Sequence, residues 1–196
     1  MVRAFRVAVA TALLVWVNTC VADSGAIATL DGQYAQGRYI EAMVQLHKMQ
    51  TLDADVSGWL AEKAQSGVPP FQYEYSRRVV STDMAAAIRW FARGFVVRSL
   101  DFAECADRER APNPGHIVIA NLYSSLFDRV LAQPSLYASE AEQAIEWEQQ
   151  RAQRPPSTWI CENRVLPDGA KQAARERQSA ELRAGIARLK ARSSSK

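Results

Sequence analysis

Apolar residues recur at three- and four-residue steps along most of this sequence, and that spacing constrains the fold more than any other feature. The clearest segment runs from about Met84 to Ala103. One helical face of it carries Met84, Ala87, Ile88, Phe91, Phe95 and Val96. Ser81, Thr82 or Asp83 can cap its start, because a side-chain oxygen there accepts from a backbone N–H group that lacks a partner. Strand patterns are scarce, so the sequence predicts an all-α fold.

Similar periodicity predicts further helices, whose ends are marked by proline, glycine and capping residues. We expect a helix over about 115–132 that stops before Pro134, and another that begins at Ser139, within a capping-box pattern, and ends before Pro155. Shorter helices are expected at about 32–37, 40–52, 56–66 and 71–80, and a long one at about 170–192. Short helices joined by short turns pack as antiparallel pairs.

Residues 1–22 have the three parts of a secretory signal peptide in the expected order. Arg3 and Arg6 make a positive start, and residues 7–17 form an uncharged apolar run that is too short to span a bilayer as a helix. Cys20 and Ala22 are small residues where signal peptidase requires them. The pattern therefore predicts cleavage after Ala22 and a periplasmic or secreted protein.

Three alternatives to this interpretation stay open. In the first, Cys20 is the modified first residue of a lipoprotein, but Asn18 fits a lipoprotein signal poorly. The second is an uncleaved membrane anchor, and the third is a cytosolic protein whose apolar N-terminal helix is buried.

The rest of the chain divides into two segments that differ in charge. Residues 23–167, the predicted helical domain, contain fourteen basic and eighteen acidic residues. Residues 168–196, predicted as a basic C-terminal helix and tail, contain eight basic and three acidic residues. The basic residues of the tail alternate with Glu and Ala and have no aromatic neighbours. That pattern favours a solvated helix over a nucleic-acid or membrane surface.

Cys105 and Cys161 are the cysteines that remain once residues 1–22 are removed. In an oxidising compartment, two cysteines without metal-ligand spacing most simply form one disulfide. Closing a loop of 56 positions would stabilise the fold by roughly 4 kcal/mol in the chain-entropy model. Two unpaired thiols are the alternative.

A small or β-branched residue followed three places later by Trp occurs at 56–59, 87–90 and 144–147. With residues 83–91 as the best match, the chain resembles a degenerate member of the Sel-one-like repeats, relatives of the tetratricopeptide repeats. Residues 37–42 resemble the tetratricopeptide turn, in which Gly is followed by an aromatic residue and then Ala.

This resemblance covers residues 31–100 well and 115–151 weakly. It implies antiparallel helix pairs stacked as a short α-solenoid, with a concave face that binds a protein or peptide.

Catalytic and metal-binding patterns are not recognisable in the sequence. Its two histidines, His47 and His116, have no Cys, Asp or Glu at metal-ligand spacing, so we expect neither a metal site nor a cofactor. Four glutamates lie close together on the helix predicted to begin at Ser139: Glu140, Glu142, Glu146 and Glu148. Their spacing spreads them around the helix axis and predicts a solvated face. The chain is therefore interpreted as a non-enzyme.

Arginine and tryptophan are enriched at the energetic centres of protein interfaces, and several lie near each other here. The predicted partner face consists of Arg77, Arg78, Arg89, Trp90, Arg93 and Trp159. Packing between helices is the alternative role for the tryptophans, and Trp159 either packs on the disulfide or is an exposed contact.

These observations predict a non-enzymatic periplasmic module that binds another protein or peptide, such as an immunity or accessory factor that occludes a toxin or envelope enzyme. One alternative is an envelope hydrolase that uses a Glu general acid, because distant residues can converge in a fold. A structural envelope protein is another. No nucleic-acid partner is expected, membrane contact would need lipidation or the basic tail, and the oligomeric state is left open.

Overall fold

The computed structural model describes residues 25–106, 114–151, 154–161 and 164–194, and its regular elements there are all helices. The predicted signal peptide, with Cys20 and the cleavage point after Ala22, lies outside these ranges. The helices are α1 (25–35), α2 (Tyr39–Lys48), α3 (Ala54–Gln65), α4 (Pro69–Val79), α5 (Met84–Ala103), α6 (Pro114–Leu122), α7 (Ser124–Leu131), α8 (Pro134–Gln150), α9 (Thr158–Cys161) and α10 (Asp168–Ser194). The all-α prediction is confirmed. Among the described helices, none has the length and apolar character needed to cross a membrane.

Helix α5 has the bounds that its periodicity predicts. The Asp83 side chain accepts from the backbone N–H of Ala86 at 2.9 Å, so Asp83 is the capping residue among the three candidates. The apolar face of α5 is buried, with Ala87 and Ile88 fully inaccessible to solvent.

The predictions for the two helices on either side of Pro134 are wrong in one respect each. The single helix expected at 115–132 is divided into α6 and α7 at Tyr123, whose backbone leaves the helical conformation. The next helix begins at Pro134 instead of Ser139, because proline both ends one helix and fits the first turn of another. Ser139 therefore lies inside α8 and does not cap it.

The other differences occur at turns. The short helix predicted at 32–37 is wrong, since α1 covers 25–35 and Gly37 sits in the following turn with φ of 71°. Helix α2 ends at Lys48, four residues before its predicted end. Trp159, which lies in none of the predicted helices, is part of the short helix α9.

Helix α5 is the centre of the fold. It packs against α4 and α8, and α10 returns across α5 and α8, while α2 and α3 pack on α4. The largest core cluster joins α4, α5, α7, α8 and α10. A second cluster near the N-terminal end is built on the aromatic rings of Tyr34, Tyr39, Trp59 and Phe71. The predicted repeat stacking of these helices stays a prediction.

Cys105 and Cys161 form a disulfide, as predicted, with their Cα atoms 5.0 Å apart. It joins the segment after α5 to α9. An isolated antiparallel β-bridge between Cys105 and Val165 also connects this segment to the chain that follows α9. A disulfide is compatible with an oxidising, secreted location.

The C-terminal helix α10 docks on the body of the fold through a small number of side chains. Ala174 and Ile186 are buried, and Leu182 and Leu189 pack partly against the large core cluster. The apolar stripe that the sequence shows late in this helix therefore lies on its packed face.

Candidate functional site

Three of the six predicted site residues come together at one surface, where guanidinium groups stack on indole rings. The Arg93 guanidinium carbon lies 4.9 Å from the ring centre of Trp90 and 4.9 Å from that of Trp147. Arg151 stacks on Trp147, also at 4.9 Å. Arg89 lies one residue before Trp90 and is exposed. We call these five residues the Arg–Trp surface.

Neighbouring elements hold the two ends of the Arg–Trp surface. At one end, the Tyr75 ring of α4 meets Trp90 edge-on at 5.3 Å. At the other end, Arg151 donates to the Ser66 carbonyl at 3.1 Å. Gly67 makes this possible, because a Cβ atom at residue 67 would lie 1.3 Å from Arg151 Nη1. Gly67 also has φ of 80°, a conformation that favours glycine at the end of α3.

Charges on the Arg–Trp surface are incompletely balanced. Arg89 pairs with Glu140 at 3.3 Å, and Arg151 Nε lies 2.8 Å from Glu148, although without hydrogen-bond alignment. No ion pair involves Arg93 among the described residues. Burial lowers the pKa of Arg93, the neighbouring positive charge of Arg89 lowers it further, and the Glu140 charge opposes both. Arg93 is thus a partly desolvated cation held between two aromatic faces.

Glu140 and Glu148 correct the prediction of a solvated glutamate face on α8. Glu140 is 7% exposed and Glu148 only 1%, because both point toward arginines from other segments. Glu146, between them, is exposed as predicted. Spacing along a helix identifies which residues share a face but does not reveal that a second helix will cover it.

Arg77 and Arg78 are placed in a buried ionic centre around Glu74, away from the Arg–Trp surface. Both donate to the Glu74 carboxylate, Arg77 Nε at 3.0 Å and Arg78 Nε at 2.8 Å. Arg78 also donates to the carbonyls of Leu46 and Met49 at 2.6 Å each, and so caps the end of α2. The guanidinium groups of the pair are thereby committed to internal contacts.

Two further groups complete the Glu74 centre. The Tyr123 hydroxyl donates to Glu74 at 2.8 Å, and His47 Nδ1 lies 3.3 Å from the same carboxylate oxygen. Burial acts to raise the pKa of Glu74, but Arg77, Tyr123 and Arg78 outweigh it and hold that pKa below its ordinary value. Burial and the Glu74 charge together raise the pKa of Tyr123, which keeps its hydroxyl protonated as a donor.

Trp159, the sixth predicted residue, is half-buried and lies beside the disulfide. Its indole Nε1 donates to Asp101 at 2.9 Å. It packs against a small core cluster formed by Cys105, Ile160 and Cys161, and it also contacts the two larger core clusters. Of the two roles that the sequence left open, packing next to the disulfide describes its position.

Asp101 belongs to a second ionic centre, which forms around Arg175 of α10. Arg175 reaches three carboxylates, those of Asp101 at 3.2 Å, Glu104 at 2.7 Å and Glu148 at 2.6 Å. Arg151 and Arg154 also pair with Glu148, at 2.8 and 3.1 Å. Three carboxylates and three guanidinium groups thus meet where α5, α8 and α10 converge.

Two carboxylates of the Arg175 centre, Asp101 and Glu148, have raised pKa values and are harder to ionise than isolated ones. Burial raises the pKa of Asp101 from 3.8 to about 6, and the nearby Glu148 charge adds to the rise while Trp159 and Arg175 oppose it. Burial likewise raises the pKa of Glu148 against the effect of its arginines. Carboxylic acids with raised pKa values are a feature of general acids. Here, however, every carboxylate of the centre already accepts from an arginine.

Sequence reasoning missed the residues that complete both arrangements. Trp147 belonged to the recurring Trp pattern, and that recurrence was the available signal for placing it beside Trp90. Arg151, Asp101 and Arg175 gave no such signal, because their partners are up to 85 residues away.

No group of three or more His, Cys, Asp or Glu side chains in the described part of the chain is arranged to hold a metal ion. Comparison with protein-family models, with curated proteins and with solved structures finds no match, so the resemblance to Sel-one-like repeats stays a prediction.

Proposed function

We propose that this chain is an exported, non-catalytic module that binds an acidic segment of another protein through the Arg–Trp surface. The observation that carries the proposal is the position of Arg93, a cation without an ion pair among the described residues, between the faces of Trp90 and Trp147. Arginine and tryptophan in such an arrangement are the residue types that dominate binding energy at protein interfaces.

The Arg–Trp surface is ordered before any partner arrives. Tyr75 fixes Trp90, and the Ser66 carbonyl fixes Arg151 over Trp147. Side chains that already hold their bound conformation lose less entropy on association, which leaves more of the contact energy for affinity. Stacking on the indole rings also leaves the edge of the Arg93 guanidinium available for directed hydrogen bonds.

Charge favours an acidic partner. Glu140 and Glu148 are buried and already paired, Glu140 with Arg89 and Glu148 with Arg151, whereas Arg93 forms no ion pair within the part of the chain that the structure describes. A carboxylate from another protein would pair with Arg93 in partly desolvated surroundings, where a charge-assisted hydrogen bond is stronger than in water.

Export supports the kind of partner. The predicted signal peptide and the Cys105–Cys161 disulfide together suit the periplasm or the exterior, where toxins and envelope enzymes act. An immunity or accessory factor that occludes such a protein is the version of this function that we favour. A structural envelope protein would also be exported. That role, however, does not explain why Arg93, which has no ion pair among the described residues, is held between two indole rings on an ordered surface.

An envelope hydrolase is the second candidate, and a specific cavity favours it. A cavity of about 480 Å³ beside α10 is lined by Glu104 and Glu148. Burial raises the pKa of Glu148. A general acid must deliver its proton to a substrate, yet Arg151, Arg154 and Arg175 all pair with Glu148. Non-catalytic binding therefore agrees better with the geometry.

The test compares two charge reversals in the full mature chain, made as bait for cross-linking in periplasmic extract of the source cell. Arg93→Glu removes the central cation, and Arg177→Glu changes an exposed arginine of α10 as a matched control. We expect the bait and the control to capture the same protein, and Arg93→Glu to lose it.

Binding should also weaken as salt is raised, because paired surface charges are screened. Equal capture by both variants would contradict the proposal. Cleavage of peptidoglycan or another glycan by the purified chain, lost in Glu148→Gln, would establish the hydrolase instead.

A further inference from the structure

An apolar cavity on the other side of α5 is separate from the Arg–Trp surface. It lies between α4, α5, α6 and α7 and has a volume of about 280 Å³, at the lower end of the range for small-molecule pockets. Most of its lining is aromatic or aliphatic, from Tyr73, Phe91, Phe95, Ile119, Tyr123 and Phe127. A volume of this size suits a small molecule with one ring or one branched chain.

One cation lies in this apolar lining. The Arg98 guanidinium carbon is 5.7 Å from the ring centre of Tyr73 and 5.5 Å from that of Phe95. Arg98 is half-buried, and no carboxylate within the described ranges forms an ion pair with it. A guanidinium in apolar surroundings is costly to leave without an anion, because its hydration is partly lost.

The other polar groups of the cavity do not supply that anion. Burial lowers the pKa of His116, and the Arg98 charge lowers it further, so this ring is neutral at pH 7. Asp128 lines the cavity but is exposed, and water screens its charge. The Tyr73 hydroxyl is buried and has no hydrogen-bond partner among the described side chains.

We propose that this cavity binds a small monocarboxylic acid whose body is aromatic or branched aliphatic. The carboxylate pairs with Arg98, and the apolar body packs among Phe91, Phe95 and Phe127. An amine of the same shape would be repelled by Arg98, and a neutral amide would leave the guanidinium without its counter-charge.

The same chemistry is offered by a free acid and by the C-terminal carboxylate of a peptide that ends in an apolar residue. Calorimetry on the full mature chain separates these sources with four probes. They are phenylacetate, phenylacetamide, a pentapeptide that ends in phenylalanine, and the same peptide with an amidated end.

We expect at least one carboxylate probe to bind, and its amide to bind about tenfold more weakly or not at all, because a charge-assisted pair is lost. Binding of phenylacetate alone would assign a free acid, and binding of the peptide alone would assign a chain terminus. Absence of binding by every probe, or equal binding of acid and amide, would overturn the proposal.

Variants at Arg98 give an independent test. Arg98→Met keeps the apolar stem and removes the charge, so the affinity for the carboxylate probe should fall about tenfold, whereas Arg177→Met should leave it unchanged. Arg98→Lys keeps a positive charge, so its affinity for the carboxylate probe should lie between that of the wild type and that of Arg98→Met. Unchanged affinity in a folded Arg98→Met would contradict the proposed pairing, and the comparison of acid with amide decides if that variant does not fold.

Discussion

Glu74 and Glu148 are both almost completely buried carboxylates, yet their partners come from very different places in the chain. Arg77 and Arg78, which pair with Glu74, follow it by three and four residues on the same helix. Glu148 has a local partner in Arg151, but it also pairs with Arg175, which lies 27 residues later on α10 and joins it to Asp101 and Glu104. One centre is therefore assembled largely within α4, whereas the other exists only once α10 has docked.

The two centres also differ in the direction of their pKa shifts. The pKa of Glu74 is lowered, because its donors outweigh the effect of burial, and the carboxylate stays ionised. The pKa values of Asp101 and Glu148 are raised, because burial outweighs the effect of their donors, and the Glu148 charge adds to the rise at Asp101. A single arginine shared by three acids thus leaves one of them prone to take up a proton.

The largest effect is expected at the shared arginine. Arg175→Met should lower the free energy of unfolding by about 5 kcal/mol, since it leaves three buried carboxylates without their common partner. Urea denaturation measures the loss. Arg177→Met, two residues along α10 and exposed, should change stability by less than about 0.5 kcal/mol. Similar losses in both variants would show that α10 is held by its apolar contacts and that the centre matters little.

Replacing both cysteines by serine should come next, with a loss of about 4 kcal/mol, because the unfolded chain regains the conformational entropy that the cross-link removes. Cys105 lies four residues after Asp101, so the same double variant should also loosen the Arg175 centre. Thermal unfolding of oxidised, reduced and double-variant protein provides the measurement. The reduced and double-variant proteins should melt together, and a double variant as stable as the oxidised protein would refute the expected stabilisation.

A smaller loss is expected at the other centre. Glu74→Gln should cost about 2 kcal/mol, because the amide still accepts from Tyr123 but no longer balances two guanidinium groups. The Arg77 and Arg78 side chains are 29% and 16% exposed, so they can recover some hydration. Glu62→Gln, at an exposed pair with Lys63, serves as the control in the same denaturation experiment. A loss larger than that of Arg175→Met would reverse the comparison.

The smallest effect is a dependence on pH. Because the pKa of Asp101 is about 6 in the folded state and 3.8 otherwise, the folded protein binds the proton more tightly. The stability from this group is therefore complete below about pH 4 and is lost as pH rises through 6. Between pH 7 and pH 5 the gain should be about 1 kcal/mol, and Asp101→Asn should abolish it.

Carboxyl NMR of the wild-type chain would locate this titration directly. A midpoint for Asp101 near 4 would contradict the raised pKa, and so would identical pH profiles for the wild type and Asp101→Asn. The Glu74 centre should show the opposite sign, with stability lost only as pH falls below the ordinary range for glutamate.

Much of the local structure could be predicted from neighbouring residues. Helix α5 was predicted with its true ends, because an Asp83 cap and a continuous apolar stripe act within a few residues of each other. Pro134 was misinterpreted because its local chemistry fits both the end of one helix and the start of the next. The break at Tyr123 had no local signal, and the Tyr123 hydroxyl donates to Glu74, 49 residues earlier in the chain.

The candidate site was predicted only in part. Arg89, Trp90 and Arg93 were grouped correctly because they share one stretch of α5, but Trp147 and Arg151 join them across the fold. Arg77 and Arg78 have the composition of an interface, and only the position of Glu74 on the same buried face shows that they are engaged inside.

The sequence by itself determined the all-α class and, through two cysteines in a chain predicted to be exported, the Cys105–Cys161 disulfide. Those results depend on periodicity, capping and residue counts, which are properties of short segments and of composition. Only the tertiary structure decided which charges are buried, which arginine three carboxylates share and where Arg93 stacks. Burial and ion pairing depend on distances between helices, and no spacing along the chain determines those.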